Sequence, residues 1–293
     1  ASKGYMDPAN FYITNPNIGR SVSAEWLEDT LKKNQSKTDG TFQQFLAKHL
    51  NVEIGMNLRT DRWAGADFWE DAGDPTLTLD SLLERCDVAV IGIDGGGLDD
   101  LLGLAVIGRE RETRRWLHWG HAWAHKIVLK RREEIAPRLL DFAKDKDLTL
   151  VDRPGEDVTA VADIVCRVRE AGLLPEKQGI GVDGAGITDV VDELAGREFT
   201  TEHIVAISQG WRLNGAIKTT ERKVAGGEFV HGDSDLMAWS VSNARTVQQG
   251  NAISITKQVS GTAKIDPLMA VFDAVSLMAL NPVSSGRSFW ETA

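Results

Sequence analysis

The sequence predicts an α/β domain, a mixed β-sheet with helices on both faces. An apolar run from Val88 to Ile93 ends in Asp94-Gly95-Gly96-Gly97, and two further short apolar segments follow it closely. After these, strand-like and helix-like segments alternate, with a second apolar strand, Ile180 to Val182, ending in Asp183. A meander that passes into alternating β and α units requires both parallel and antiparallel pairing, with helices packed on the sheet. This order is the ribonuclease H plan.

Taken in chain order, the first 85 residues differ from the rest: they are polar, carry scattered tryptophans, and show one clear helix signal from Ser23 to about Lys33, with Ser23 as N-cap. Turn residues cluster at Asp71-Ala72-Gly73-Asp74-Pro75. The expected division is therefore a connector over residues 1–85, wrapped on the main domain, and a ribonuclease H-like domain over 86–293. The meander occupies 88–93, 101–107 and 115–119. A helix is expected over 126–144, a strand at 148–151, a helix at 158–170, a helix around Val190 and a strand at 203–207. Helices over 211–225 and 235–244 precede a hairpin at 246–257, and a last helix runs from Asp266 to about Leu280, stopped by Asn281-Pro282.

Composition narrows the function. With 293 residues, 42% hydrophobic and 26% charged, the chain has a globular make-up, and no apolar run approaches the roughly 18 residues of a membrane span. The start lacks the apolar core of a signal peptide, and Cys86 and Cys166 supply neither a disulfide framework nor a zinc pattern, so a reducing, cytoplasmic setting is expected. A net charge of −10 argues against a surface coated for nucleic acid. Basic residues nevertheless cluster at Arg109, Arg111, Arg114 and Arg115, at Lys126, Lys130, Arg131 and Arg132, and at Lys218, Arg222 and Lys223. Each is a solvated face or part of a local groove.

Three acids stand out by position. Asp94 and Asp183 each close a buried strand and precede glycine, which puts a carboxylate at the sheet edge beside open backbone. Each could equally form a turn. Asp266 precedes Pro267 at the start of the last helix, so it could be an N-cap, or a carboxylate carried across the sheet to the other two. Converging carboxylates suit hard divalent cations, a pair of which can work on a phosphodiester. Asp99, Asp100, Asp233, Asp235 and Asp273 are auxiliary candidates, and His231 could orient water or touch phosphate.

The stretch from His231-Gly232 through Trp239 and Asn243 to Lys264-Ile265-Asp266-Pro267 resembles the C-terminal signature of tailed-phage terminase large subunits. So do Arg212-Leu213-Asn214-Gly215 and the opening Asn15-Pro16-Asn17-Ile18-Gly19-Arg20. The resemblance implies a Mg²⁺- or Mn²⁺-dependent endonuclease that cuts concatemeric phage DNA in the host cytoplasm with little sequence preference. By it, Asp94, Asp183 and Asp266 are catalytic and hold a two-ion site. The implied partners are double-stranded DNA, the portal protein and the small terminase subunit. No Gly-x-x-x-x-Gly-Lys-Ser/Thr loop occurs, so the packaging ATPase would lie outside this chain.

Rival readings remain open at this point. Ile91 to Gly97 also looks like the first phosphate loop of sugar kinases and actin-like ATPases, and Asp183-Gly184-Ala185-Gly186 imitates the second, although an adenosine motif is missing. Gly179 to Gly184 fits a dinucleotide fingerprint by letter, but its first two glycines lie inside a strand. His118, His121 and His125 are spaced like zinc ligands, yet they interleave with Trp116, Trp119 and Trp123, which favours ordinary surface packing. A non-catalytic docking module would need no converging acids.

Overall fold

The computed structural model describes residues 4–35, 41–51, 61–184, 188–257 and 263–286. Its contacts divide the chain between Arg62 and Trp63. In the first unit, helices α1 (Phe11–Thr14), α2 (Ala24–Asn34) and α3 (Thr41–Leu50) enclose a small cluster that includes Phe11, Leu27, Leu31, Phe45 and Leu50. Ser23 caps α2 by accepting from the Trp26 backbone N–H at 3.1 Å.

The second unit is built on an eight-stranded mixed sheet in the order β1-β8-β4-β3-β2-β6-β7, with β5 also paired to β4. In chain order the elements are β1 (Gly73–Asp74), α4 (Leu79–Arg85), β2 (Cys86–Gly95), β3 (Leu102–Glu110), β4 (Trp116–His125), α5 (Val128–Arg131), α6 (Ala136–Lys144), β5 (Leu148–Val151), α7 (Glu156–Glu170), β6 (Ile180–Asp183), α8 (Thr188–Gly196), β7 (Ile204–Ile207), α9 (Asn214–Ala225), β8 (Phe229–Gly232), α10 (Asp235–Asn243), β9 (Ala244–Gln249), β10 (Ala252–Lys257) and α11 (Asp266–Met278). β2, β3 and β4 form the antiparallel meander, and β6, β7, β5 and β8 add in parallel. β9 and β10 form a separate hairpin. The ribonuclease H-like plan expected from the order of elements is the fold observed.

β2 reads as a continuous apolar run because both of its faces are covered. Val88 and Val90 point into a core shared with α9 and α11, while Ala89, Ile91 and Ile93 point into one shared with α4, α7 and α8. α11 is apolar nearly all round and buries residues from Pro267 to Met278, as a helix enclosed on every side must. Composition places the division near residue 85, whereas the contacts put 63–85 with the sheet. Trp63 is fully buried edge-on against Phe272 of α11, with ring centres 5.3 Å apart, and β1 pairs with β8. The helix expected over 126–144 is two helices, because the chain breaks at Arg132 and Pro137 opens α6 in its first turn.

Candidate functional site

Asp94 leaves β2 where the chain must reverse within a few residues. Gly95, Gly96 and Gly97 have φ of +89°, +105° and +117°, a conformation that L side chains rarely adopt. The turn leaves Asp94 buried at 7% exposure. Asp183 ends β6, the parallel neighbour of β2, and is half-buried. Asp266 reaches the same edge on α11, because that helix lies directly on the sheet backbone. A Cβ on Gly92 would stand 2.0 Å from the Ala270 carbonyl oxygen, and one on Gly103 would stand 2.9 Å from the Pro267 backbone. Without side chains at these points, the helix start settles beside the β2 turn. A Cβ on Gly95 would lie 3.1 Å from that of Asp266.

The structure therefore brings the three acids to one sheet edge, and adds Asp100 and Asp273. Burial pushes the Asp94 carboxyl well above its ordinary range, and the charges of Asp266, Asp273, Asp183 and Asp100 push it further. Burial also raises the Asp266 pKa, to about 7, and the charge of Asp100 pushes in the same direction. Asp273 is fully buried in α11. Its Oδ1 accepts from Gln209 Nε2 at 3.0 Å, its Oδ2 is buried without a hydrogen-bond partner, and burial raises its pKa to about 8. Such a cluster is stable only if protons, cations or a nearby basic group offset its charge.

The donor set consists of hard carboxylate oxygens, including the unpartnered Oδ2 atoms of Asp266 and Asp273, and this chemistry fits Mg²⁺ or Mn²⁺. As they stand, no three His, Cys, Asp or Glu side chains among the described residues form a ready metal cage. The carboxyls would have to turn toward an ion. Residues 185–187, next to Asp183 and including the end of the Asp183-Gly184-Ala185-Gly186 motif, lie outside the described residues.

Asp99 pairs with Arg132 at 3.1 Å. His231 is buried, stacks on Trp69 with ring centres 4.2 Å apart, and its Nε2 lies 2.7 Å from the Trp69 carbonyl oxygen. Asp233 lines a cavity of about 250 Å³ beside His118, and Asp235 lies in the first turn of α10. The histidines of β4 differ: the strand continues to His125, His118 is buried at 2% exposure while His121 and His125 are half-buried, and burial lowers the pKa of His118 to about 3 and that of His121 to about 4. The basic clusters are largely occupied internally. Arg109 and Arg114 pair with Asp87, Arg115 with Glu110, Lys126 with Asp152, and Lys223 with Glu228. The residue that motif reasoning did not single out is Lys264, 1% exposed and paired with Asp100. Its signal lay in its place two residues before Asp266.

The family model for the terminase large subunit, endonuclease domain, matches residues 1–281. The chain belongs to that family. Among solved structures, the domain is similar to the large terminase of bacteriophage HK97, with 18% identity, a TM-score of 0.58, and 92% of this chain and 54% of that one covered. It is also similar to the large terminase nuclease of thermophilic phage G20c (11% identity, TM-score 0.45, 73% and 96% covered). A third likeness is to the human cytomegalovirus terminase nuclease domain (10% identity, TM-score 0.34, 73% and 93% covered). The chain thus spans about half the length of the HK97 protein, and that likeness concerns the fold. Comparison with curated proteins gives no match.

Proposed function

We propose that this terminase nuclease domain is a metal-dependent endodeoxyribonuclease whose divalent ions, Mg²⁺ or Mn²⁺, are held by Asp94, Asp183 and Asp266. The observation that carries the proposal is the convergence of these carboxylates under the start of α11, where burial and neighbouring acids disfavour the charge of Asp94 and Asp266. Two bound ions would supply an activated water and a counter-charge for the leaving oxygen of a phosphodiester. The chain's own contribution is placement. The β2 turn fixes Asp94, β6 presents Asp183 alongside it, and close seating of α11 fixes Asp266.

In the cell the substrate would be concatemeric double-stranded phage DNA, cut with little sequence preference during packaging in the host cytoplasm. The portal protein and the small terminase subunit would be the partners. The pairing of most clustered arginines and lysines with neighbouring acids supports modest intrinsic affinity for DNA, with the rest of the motor holding the duplex. The test is cleavage of supercoiled plasmid with Mg²⁺ or Mn²⁺. Cutting should stop with EDTA and fall below detection in Asp94→Asn, whose melting curve should show a folded protein. Full activity in that variant would refute the site, whereas a kinase or a docking module would leave DNA intact.

A further inference from the structure

Lys264 is a cation placed inside an acidic site. At 1% exposure its ammonium cannot reach a DNA phosphate from where it stands, and a buried ammonium is tolerated only when paired. Its Nζ makes an ion pair with Asp100 Oδ1 and donates to the Asp99 carbonyl oxygen at 3.2 Å. The backbone is held as well, since the Lys264 carbonyl accepts from Asn243 Nδ2 at 3.0 Å. Asp100 in turn lies on the tight loop that leaves Asp94, where the Gly96 N–H donates to the Leu101 carbonyl oxygen at 2.8 Å, and its charge acts on both Asp94 and Asp266. One carboxylate therefore stands between a buried ammonium and the proposed metal ligands.

We propose that Lys264 is a positioning residue that serves as the resident counter-cation of the acid cluster, holding Asp100 and competing with an incoming divalent ion for that carboxylate. The inference rests on the metal-binding reading above. With no ion bound, the ammonium offsets part of the cluster's repulsion and keeps the loop after β2 docked at the start of α11. When an ion enters, the same positive charge opposes it and Asp100 must be shared or released. Metal affinity is thereby set below what the carboxylates alone would give.

Calorimetric titration of the whole chain with Mn²⁺, without DNA, tests this directly. Lys264→Met should bind Mn²⁺ roughly tenfold more tightly than the unsubstituted protein, because one opposing charge within a few ångströms of the ion is gone. Lys264→Arg should stay within about threefold of the original affinity, since the charge remains. Adding Asp100→Asn to Lys264→Met should abolish the gain, because the freed carboxylate is its source. Unchanged or weaker binding by folded Lys264→Met would overturn the proposal, as would a gain that survives Asp100→Asn. If the methionine variant does not fold, Lys264→Gln removes the charge, keeps a donor for the Asp99 carbonyl, and carries the same expectation. Absence of Mn²⁺ binding by the unsubstituted protein would overturn the metal reading and the inference with it. Binding there, with no gain in the variant, would overturn the inference alone.

Discussion

Asp273 makes the energetic tension of this site measurable. It is fully buried on α11, holds one hydrogen bond from Gln209, and has its pKa raised from 3.8 to about 8, first by burial and then by the charge of Asp183. In the folded protein it keeps its proton between pH 4 and 8, while in the unfolded chain it loses the proton near pH 4. Folded protein therefore binds more protons across this window, and stability must fall as pH rises through it. About four pH units at 1.36 kcal/mol each set a ceiling near 5–6 kcal/mol, which relaxation and water entry would reduce to roughly 2–4 kcal/mol. Asp273→Asn removes this cost and keeps an oxygen for Gln209. In EDTA the variant should outlast the unsubstituted protein by about 2–4 kcal/mol at pH 8, or roughly 5–15 °C in Tm, with the gap closing to under about 1 kcal/mol near pH 4.5. Urea unfolding at both pH values reads it. A variant that is less stable at pH 8, or a gap independent of pH, would refute the assignment of a buried, high-pKa carboxyl.

Two further outcomes follow from the same packing. Gly92→Ala would put a methyl 2.0 Å from the Ala270 carbonyl oxygen and 2.5 Å from the Ala274 nitrogen, forcing α11 away by more than about 1 Å. It should lose about 1–3 kcal/mol of stability and at least about tenfold in metal-dependent cleavage, whereas Gly215→Ala, with nothing within 4 Å, should leave cleavage unchanged. His118, whose pKa burial lowers from 6.5 to about 3, contributes stability that is fully present above pH 6.5 and lost as pH falls toward 3. His118→Phe, set between Trp69 and Phe229, should remove up to about 4 kcal/mol of that acid sensitivity, and a variant with the parent's acid slope between pH 6.5 and 4 would contradict it.

What was legible in the sequence is what local chemistry encodes. Ser23 announces α2 as its N-cap, Pro267 marks the first turn of α11, and the run from Val88 to Ile93 marks the central strand. Segments whose structure depends on distant partners were not legible. β8 is four residues, Phe-Val-His-Gly, and β1 is two, so neither carries a periodicity of its own; each is a strand because another lies beside it. β4 runs six residues beyond Trp119 because β3 and β5 pair its histidine- and tryptophan-rich end, which reads as loop in isolation. For the proposed site, Asp94, Asp183 and Asp266 are marked by their places at strand and helix ends. The ion pair joining Lys264 to Asp100 carries no such mark, since its partners are 164 residues apart and meet only once α11 is seated.

That seating explains how the acids can sit so close in the folded chain. Gly92 and Gly103 remove the side chains that would keep α11 off the sheet, so the helix gains contact along the backbone while its apolar surface is enclosed by Trp63, α9 and both central strands. Burying large apolar side chains contributes roughly 1.5–3 kcal/mol each, which several residues of α11 supply. The electrostatic cost is concentrated in Asp94, Asp266 and Asp273, where retained protons reduce it, and Lys264 offsets more of it through Asp100. The same close approach thus supplies both the packing that tolerates the strain and the carboxylates that produce it. A divalent ion that displaces those protons would convert the strain into binding energy, so that stability and metal affinity should move in opposite directions as the acids are neutralised one by one.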